Sequence, residues 1–333
     1  MYEALILIII IIILIIIFHQ KLQRKECVET KKNYDYFDEF NIKNIKTNSS
    51  IPKIIWTYWD DCPPELIMGF IKSWLDHAPD HKVIVLTSQN YHLYTNGLIT
   101  DETLSKYKLS QHKADVIKLT ILHIHGGIWM DANMICNESL IWVHTIQKNT
   151  SCELVGYYSK DHTTLNDYPV IESFFMACIP ESVLIGKILD EIKILSKYKG
   201  ISEYIKQNNI NLQNIKPSLY DELWIQVILQ KILQTNPTGS FNYQVNDAEN
   251  TVFLYLKNNN WDTKKSIDAL IDGKYKNPLI KIRSYERNYL QHNIVKADKL
   301  FNTFGITDYK LLKTSNGCNL LNSKNKVILS VDQ

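Results

Sequence analysis

Residues 111–134 read QHKADVIKLTILHIHGGIWMDANM, and the order of their parts decides how the rest of the chain is understood. Val116, Ile117, Leu119, Ile121, Leu122 and Ile124 recur at helical spacing, so the first half is a helix carrying Asp115 and Lys118. Gly126 stops it, because glycine tolerates the backbone conformation that ends many helices. Ile128-Trp129-Met130 is a short apolar strand that runs into Asp131-Ala132-Asn133. In open α/β sheets ligands sit beyond the carboxyl ends of strands. Asp131 and Asn133, two residues apart, face the same side if the chain stays extended.

The segments before it supply a sheet for that strand to join. Residues 51–59, IPKIIWTYW, are β-branched and aromatic and read as a buried strand. Leu66, Ile67, Phe70, Ile71, Trp74 and Leu75 mark one face of a helix over residues 65–76, and residues 82–87, KVIVLT, form a second strand. Strand, helix, strand at this spacing is a βαβ unit with parallel strands. Further on, residues 153–158 and 169–178 read as strands, 181–198 and 220–234 as helices, and 252–256, VFLYL, as another strand. Glu172 interrupts an apolar strand, which costs folding energy unless the carboxylate is paired or used.

Composition bounds the function. The 333 residues can bury a large core. With 22% charged and 45% hydrophobic residues, the chain is ordinary for a folded protein. A net charge of +2 and no concentrated basic face leave no case for a nucleic-acid partner. The six cysteines form no C-x-x-C pair and no zinc spacing with histidine; most read as buried apolar residues, with one or two disulfides open to an oxidising lumen. Residues 4–18 are an unbroken apolar run. They give a transmembrane anchor over residues 1–20, followed by a polar stem over 21–50 and a folded domain over 51–333. The basic residues after the anchor favour a cytoplasmic domain by the positive-inside rule. The sequons at Asn48, Asn137 and Asn149 matter only for a lumenal one, so the side is left open.

IPKIIWTYW, KADVIKLTILHIHGGIWMDAN and PVIESFFMAC together resemble the capsular polysaccharide synthesis glycosyltransferases and the wider DXD-containing sugar transferases. The resemblance spans residues 51–177. It implies an α/β, GT-A-like (Rossmann-related) mixed sheet flanked by helices, with residues 51–178 holding a nucleotide-sugar donor and residues 179–333 the glycan or lipid-linked acceptor. It implies transfer with retention of anomeric configuration, assisted by Mn²⁺ or Mg²⁺ on Asp131 and Asn133. Asp131 and Glu172 are the expected catalytic residues; Trp56, Tyr58, Asp115, Lys118, Gly126 and Gly127 are the expected donor-binding ones. A divalent ion suits this chemistry because it neutralises the departing diphosphate, and hard cations take oxygen ligands. Two departures weaken the charge pattern. Asn133 stands where an acid is commoner, and Lys118 where the family often has Arg, which would grip a phosphate bidentately. They keep open a second reading, a membrane-tethered carbohydrate-binding or scaffold protein that has the fold without turnover.

Overall fold

The computed structural model describes residues 50–332, apart from residue 108. The anchor and nearly all of the stem expected from the sequence lie outside the described residues. Among those described, no helix is long and apolar enough to cross a membrane.

The chain runs through β1 (Ile54–Tyr58), α1 (Glu65–His77), β2 (Lys82–Leu86), α2 (Asp101–Ser105), α3 (Ser110–His125), β3 (Gly127–Met130) and β4 (Met134–Cys136). It continues through α4 (Ile141–Thr150), β5 (Leu154–Ser159), β6 (Val170–Cys178), α5 (Val183–Leu195), α6 (Ile201–Asn208), α7 (Trp224–Thr235) and β7 (Tyr243–Asp247). The last part holds α8 (Leu254–Lys257), α9 (Thr263–Ile271), β8 (Leu279–Lys281), α10 (Ser284–Gln291), α11 (Ile294–Thr303), β9 (Tyr309–Thr314), β10 (Gly317–Asn322) and β11 (Val327–Asp332).

Why the central strands are apolar on both faces is visible in their alternation. Ile55, Val83, Val85, Ile128, Met130, Phe175 and Ala177 enter one core; Ile54, Trp56, Ile84, Leu86, Trp129, Met176 and Cys178 enter another. Each strand is covered on both faces, so neither parity is left to water. α1 buries Ile67, Met68, Phe70, Ile71 and Trp74 in the first core. α3, α5 and α7 fill the second with Ile117, Leu119, Ile185, Ile188, Ile225 and Ile228.

The main sheet has the order β2-β1-β3-β6-β5-β7. β2, β1 and β3 are parallel, β6 is antiparallel to β3 and β5, and β7 is parallel to β5. It is the mixed sheet expected. The chain leaves β1 for β2 on one side and returns past β1 to β3 on the other. The strand order therefore switches between β1 and β3, and a crevice opens at their carboxyl ends.

Two readings from the sequence change. Residues 252–256 are a turn leading into the short helix α8, not a strand. Val252, Phe253, Tyr255 and Leu256 are buried and Leu254 is less so, a pattern that does not alternate and that so short an apolar run does not reveal. The tail is also more ordered than its sequence suggests: β9, β10 and β11 form a separate antiparallel sheet, and β4 pairs with β8. Cys62 and Cys318 form a disulfide, 256 residues apart, that joins the loop after β1 to β10; Cys136, Cys152 and Cys178 are free and buried.

Candidate active site

The end of β3 carries a group of charged side chains drawn from distant parts of the chain. Asp131 follows the strand directly, and its backbone N–H donates to the Phe174 carbonyl of β6 at 2.9 Å. Its carboxylate accepts from Trp129 Nε1 at 3.0 Å and from Lys281 Nζ at 2.5 Å. The same ammonium donates to Asn133 Oδ1 at 2.7 Å. Asp131 and Asn133 thus face one side, as their spacing implied, and converge on one cation. Burial alone would raise the Asp131 carboxyl, but Lys281 and Lys118 outweigh it and hold Asp131 below the usual carboxylate range. Burial depresses Lys281 below an ordinary lysine against the pull of Asp131. The Asp131 side chain keeps 35% of its surface open to solvent while Lys281 keeps 9%, so the carboxylate is at the mouth and the ammonium behind it.

Lys281 is set there by backbone pairing, not by a flexible reach. β8 pairs with β4 so that Lys281 opposes Met134, and Ile282 N–H donates to the Asn133 carbonyl at 2.9 Å. Tyr255 Oη donates to the Lys281 carbonyl at 2.8 Å. Nothing in the spacing of the sequence links positions 131 and 281. A signal was nevertheless present: Lys281 interrupts the apolar run Leu279-Ile280-Lys281-Ile282 as Glu172 interrupts β6.

A second pair lies on α3. Lys118 Nζ donates to Asp115 Oδ1 at 2.6 Å and to the Ser173 carbonyl at 3.0 Å, and sits 5.6 Å from the centre of the Trp129 ring. Trp224 Nε1 of α7 donates to the other Asp115 oxygen at 2.6 Å. Both members are buried. Their charges are spent on each other, and the pair ties α3, α7 and β6 together behind Asp131. Glu172, also on β6, accepts from Gln226 Nε2 of α7 at 3.0 Å. Burial pushes its carboxyl up to about 7, with Glu249 and Asp131 adding to the rise. Trp224, Gln226 and Lys281 all come from the part of the chain the sequence reading reserved for the acceptor. The two halves therefore build one site.

The other expected donor-binding residues are placed differently. Trp56 is buried, donates from Nε1 to the Gly126 carbonyl at 2.9 Å and packs against Tyr94 and His125, so its ring is a core clasp and offers no stacking face. Tyr58 ends β1. The register Ile55↔Ile128, Trp56↔Trp129, continued by two residues, sets it level with Asp131. Its hydroxyl donates to Asp60, and burial together with that carboxylate raises its pKa. Gly126 and Gly127 lie at the opposite end of β3 from Asp131, about 13 Å away at ~3.3 Å per residue. A Cβ on Gly126 would meet the Pro180 backbone at 2.6 Å, and one on Gly127 the Ile54 carbonyl at 2.8 Å. The pair packs tightly against β1 and Pro180, at the end of β3 away from Asp131.

Asp131 and Asn133 as they stand do not fit a divalent ion. Such an ion binds oxygen at about 2.0–2.6 Å, and both oxygens are already held by a buried ammonium. Asn133 adds no charge, and among the described residues no group of three or more His, Cys, Asp or Glu is arranged to hold a metal.

The fold and this charge cluster make an α/β domain with its polar residues at the switch between β1 and β3. Residues 14–152 match the family model described as capsular polysaccharide synthesis protein; the resemblance carried by IPKIIWTYW and GGIWMDAN is to that family. Over 131 residues the chain is 28% identical to inositol phosphoceramide mannosyltransferase 3 of Schizosaccharomyces pombe, a match covering 35% of this chain and 36% of that protein. Over 39 residues it is 46% identical to the uncharacterized glycosyltransferase L373 of Acanthamoeba polyphaga mimivirus, covering 12% and 16%. The chain thus matches 36% of the length of the first of these curated relatives and 16% of the second. Among solved structures, the PaToxG glycosyltransferase superimposes with a TM-score of 0.33 at 12% identity, covering 77% of this chain and 87% of that one. The galactosyltransferase LgtC, in complex with donor and acceptor sugar analogs, gives 0.33 at 13%, covering 57% and 72%. Superpositions this loose carry no argument, and the fold stands on its own sheet order.

Proposed function

We propose that the protein is a glycosyltransferase that moves a sugar from a nucleotide-sugar donor to a glycan or lipid-linked acceptor with retention of configuration. The observation that carries this is the convergence of Asp131, Asn133 and the Asp115–Lys118 pair at the carboxyl ends of parallel strands, where the order of the sheet switches. In the reaction, the bond between the anomeric carbon and the diphosphate oxygen breaks, and its electron pair leaves on the diphosphate. The acceptor hydroxyl oxygen bonds to that carbon and gives up its proton. Glu172 suits the role of proton acceptor, since a carboxyl raised to about 7 is poised near neutral pH. Asp131, ionised and open to the crevice, suits contact with the donor. A divalent ion would enter at Asp131 and Asn133 only by displacing Lys281 from both oxygens.

The test is hydrolysis of nucleotide-sugars by the full chain, screened across uridine and guanosine diphosphate sugars. One donor is expected to be cleaved, with Asp131→Ala losing at least a hundredfold in rate at unchanged fold. Glycan binding without turnover of any donor would instead favour the scaffold reading.

A further inference from the structure

The cation that the chemistry requires is already present as a side chain. A leaving diphosphate brings negative charge to a place where Asp131 is itself ionised, so a positive centre has to lie close to both. Lys281 stands there. It is in contact with both oxygens that the sequence assigned to a metal, and it is fixed in register by the β4–β8 pair, by Ile282 and by Tyr255. An ammonium has three N–H donors. Two go to Asp131 and Asn133, and the nitrogen also lies 5.3 Å from the centre of the Phe174 ring; a ring face is a weaker partner than an oxygen, so the third N–H can turn to a ligand oxygen. Lys118, the other nearby cation, is neutralised by Asp115 and turned to the Ser173 carbonyl. Asn133 fits the same arrangement: an amide oxygen accepts from Lys281 without adding a charge that would need a second cation.

We propose that Lys281 is the resident cation of the transfer site, meeting the charge of the nucleoside diphosphate in place of a divalent metal. The proposal rests on the glycosyltransferase reading. As the anomeric carbon–oxygen bond breaks, the electron pair passes to the diphosphate oxygen, the Lys281 ammonium donates a hydrogen bond to that diphosphate, and the acceptor proton goes to Glu172. No redox partner and no metal enters the balance.

The experiment is a calorimetric titration of the full chain with GDP and with UDP, once in EDTA and once in Mn²⁺, beside a titration with Mn²⁺ alone. The expected result is that one of the two nucleotides binds in EDTA within threefold of its affinity in Mn²⁺, and that Mn²⁺ alone shows no binding below millimolar concentration. Lys281→Met should lose at least tenfold in nucleotide affinity, and Lys281→Arg should recover most of it. Because Lys281→Met leaves Asp131 unpaired, the double variant Lys281→Met with Asp131→Asn removes both charges. It should fold and still bind the nucleotide at least tenfold more weakly than Asp131→Asn alone. Binding that appears only with Mn²⁺, or micromolar Mn²⁺ affinity with Lys281 intact, would overturn the proposal while leaving the enzyme reading standing. No binding of either nucleotide, together with no turnover of any nucleotide-sugar, would overturn both.

Discussion

Glu172, the proton acceptor proposed above, shows at the scale of one residue what a buried carboxyl costs in stability. Its carboxyl rises from 4.5 to about 7 in the folded protein, chiefly through burial. The sign follows from linkage: the folded state holds this proton more tightly than the unfolded chain does. The stabilising contribution is complete below about pH 4.5 and is lost as pH rises through about 7. At ~1.4 kcal/mol for each pH unit of displacement, the loss comes to about 3 kcal/mol. Glu172→Gln cannot ionise and should be more stable than the parent above pH 7, with the advantage gone by pH 5, while sugar transfer is lost at both. Urea midpoints at the two pH values check the first part. Asp131 and Glu172 were legible in the sequence because each breaks an apolar strand or ends one. Lys281 was not, because its partner lies 150 residues away and only the β4–β8 pairing, three residues a side, brings them together.

At the scale of elements, legibility followed burial. β1, β2, β3 and β6, and the helices α1, α3, α5 and α7, were readable because both faces of the strands and one face of each helix are buried without interruption. β9 was not, since only alternate residues near its start are even partly covered, and β4 is too short to show a period. Gly126-Gly127 was legible as a helix stop, but its closeness to β1 and Pro180 was not, because contact with a distant backbone leaves no trace in local spacing. That closeness yields a prediction. Gly127→Ala forces a Cβ to 2.8 Å from the Ile54 carbonyl at a φ of +96°. It should cost ~2 kcal/mol or more, as overpacking against backbone does. Thermal unfolding measures it, and a midpoint equal to the parent's would refute the packing role assigned to the pair.

At the scale of the whole molecule, the Cys62–Cys318 disulfide closes most of the described chain into a single loop. Closing so long a loop stabilises by up to about 5 kcal/mol in the chain-entropy account. Such bonds persist in oxidising compartments. The bond therefore weighs towards a lumenal or external domain, against the basic residues that follow the apolar N-terminal run. Protein isolated from its native source should leave Cys62 and Cys318 unreactive to alkylation until reductant is added. Reduction should then lower the unfolding midpoint by several degrees, whereas Cys62 alkylated in the first step would place the domain in a reducing compartment. The same long-range closure has a consequence for synthesis. The ribosome delivers Asp131 and the whole stretch of family similarity, residues 14–152, long before Lys281 emerges. Until then the carboxylate lacks its Lys281 partner. A nascent chain cut between residue 152 and β8 carries the whole stretch of similarity without Lys281, so the paired cluster assembles only once β8 has been made.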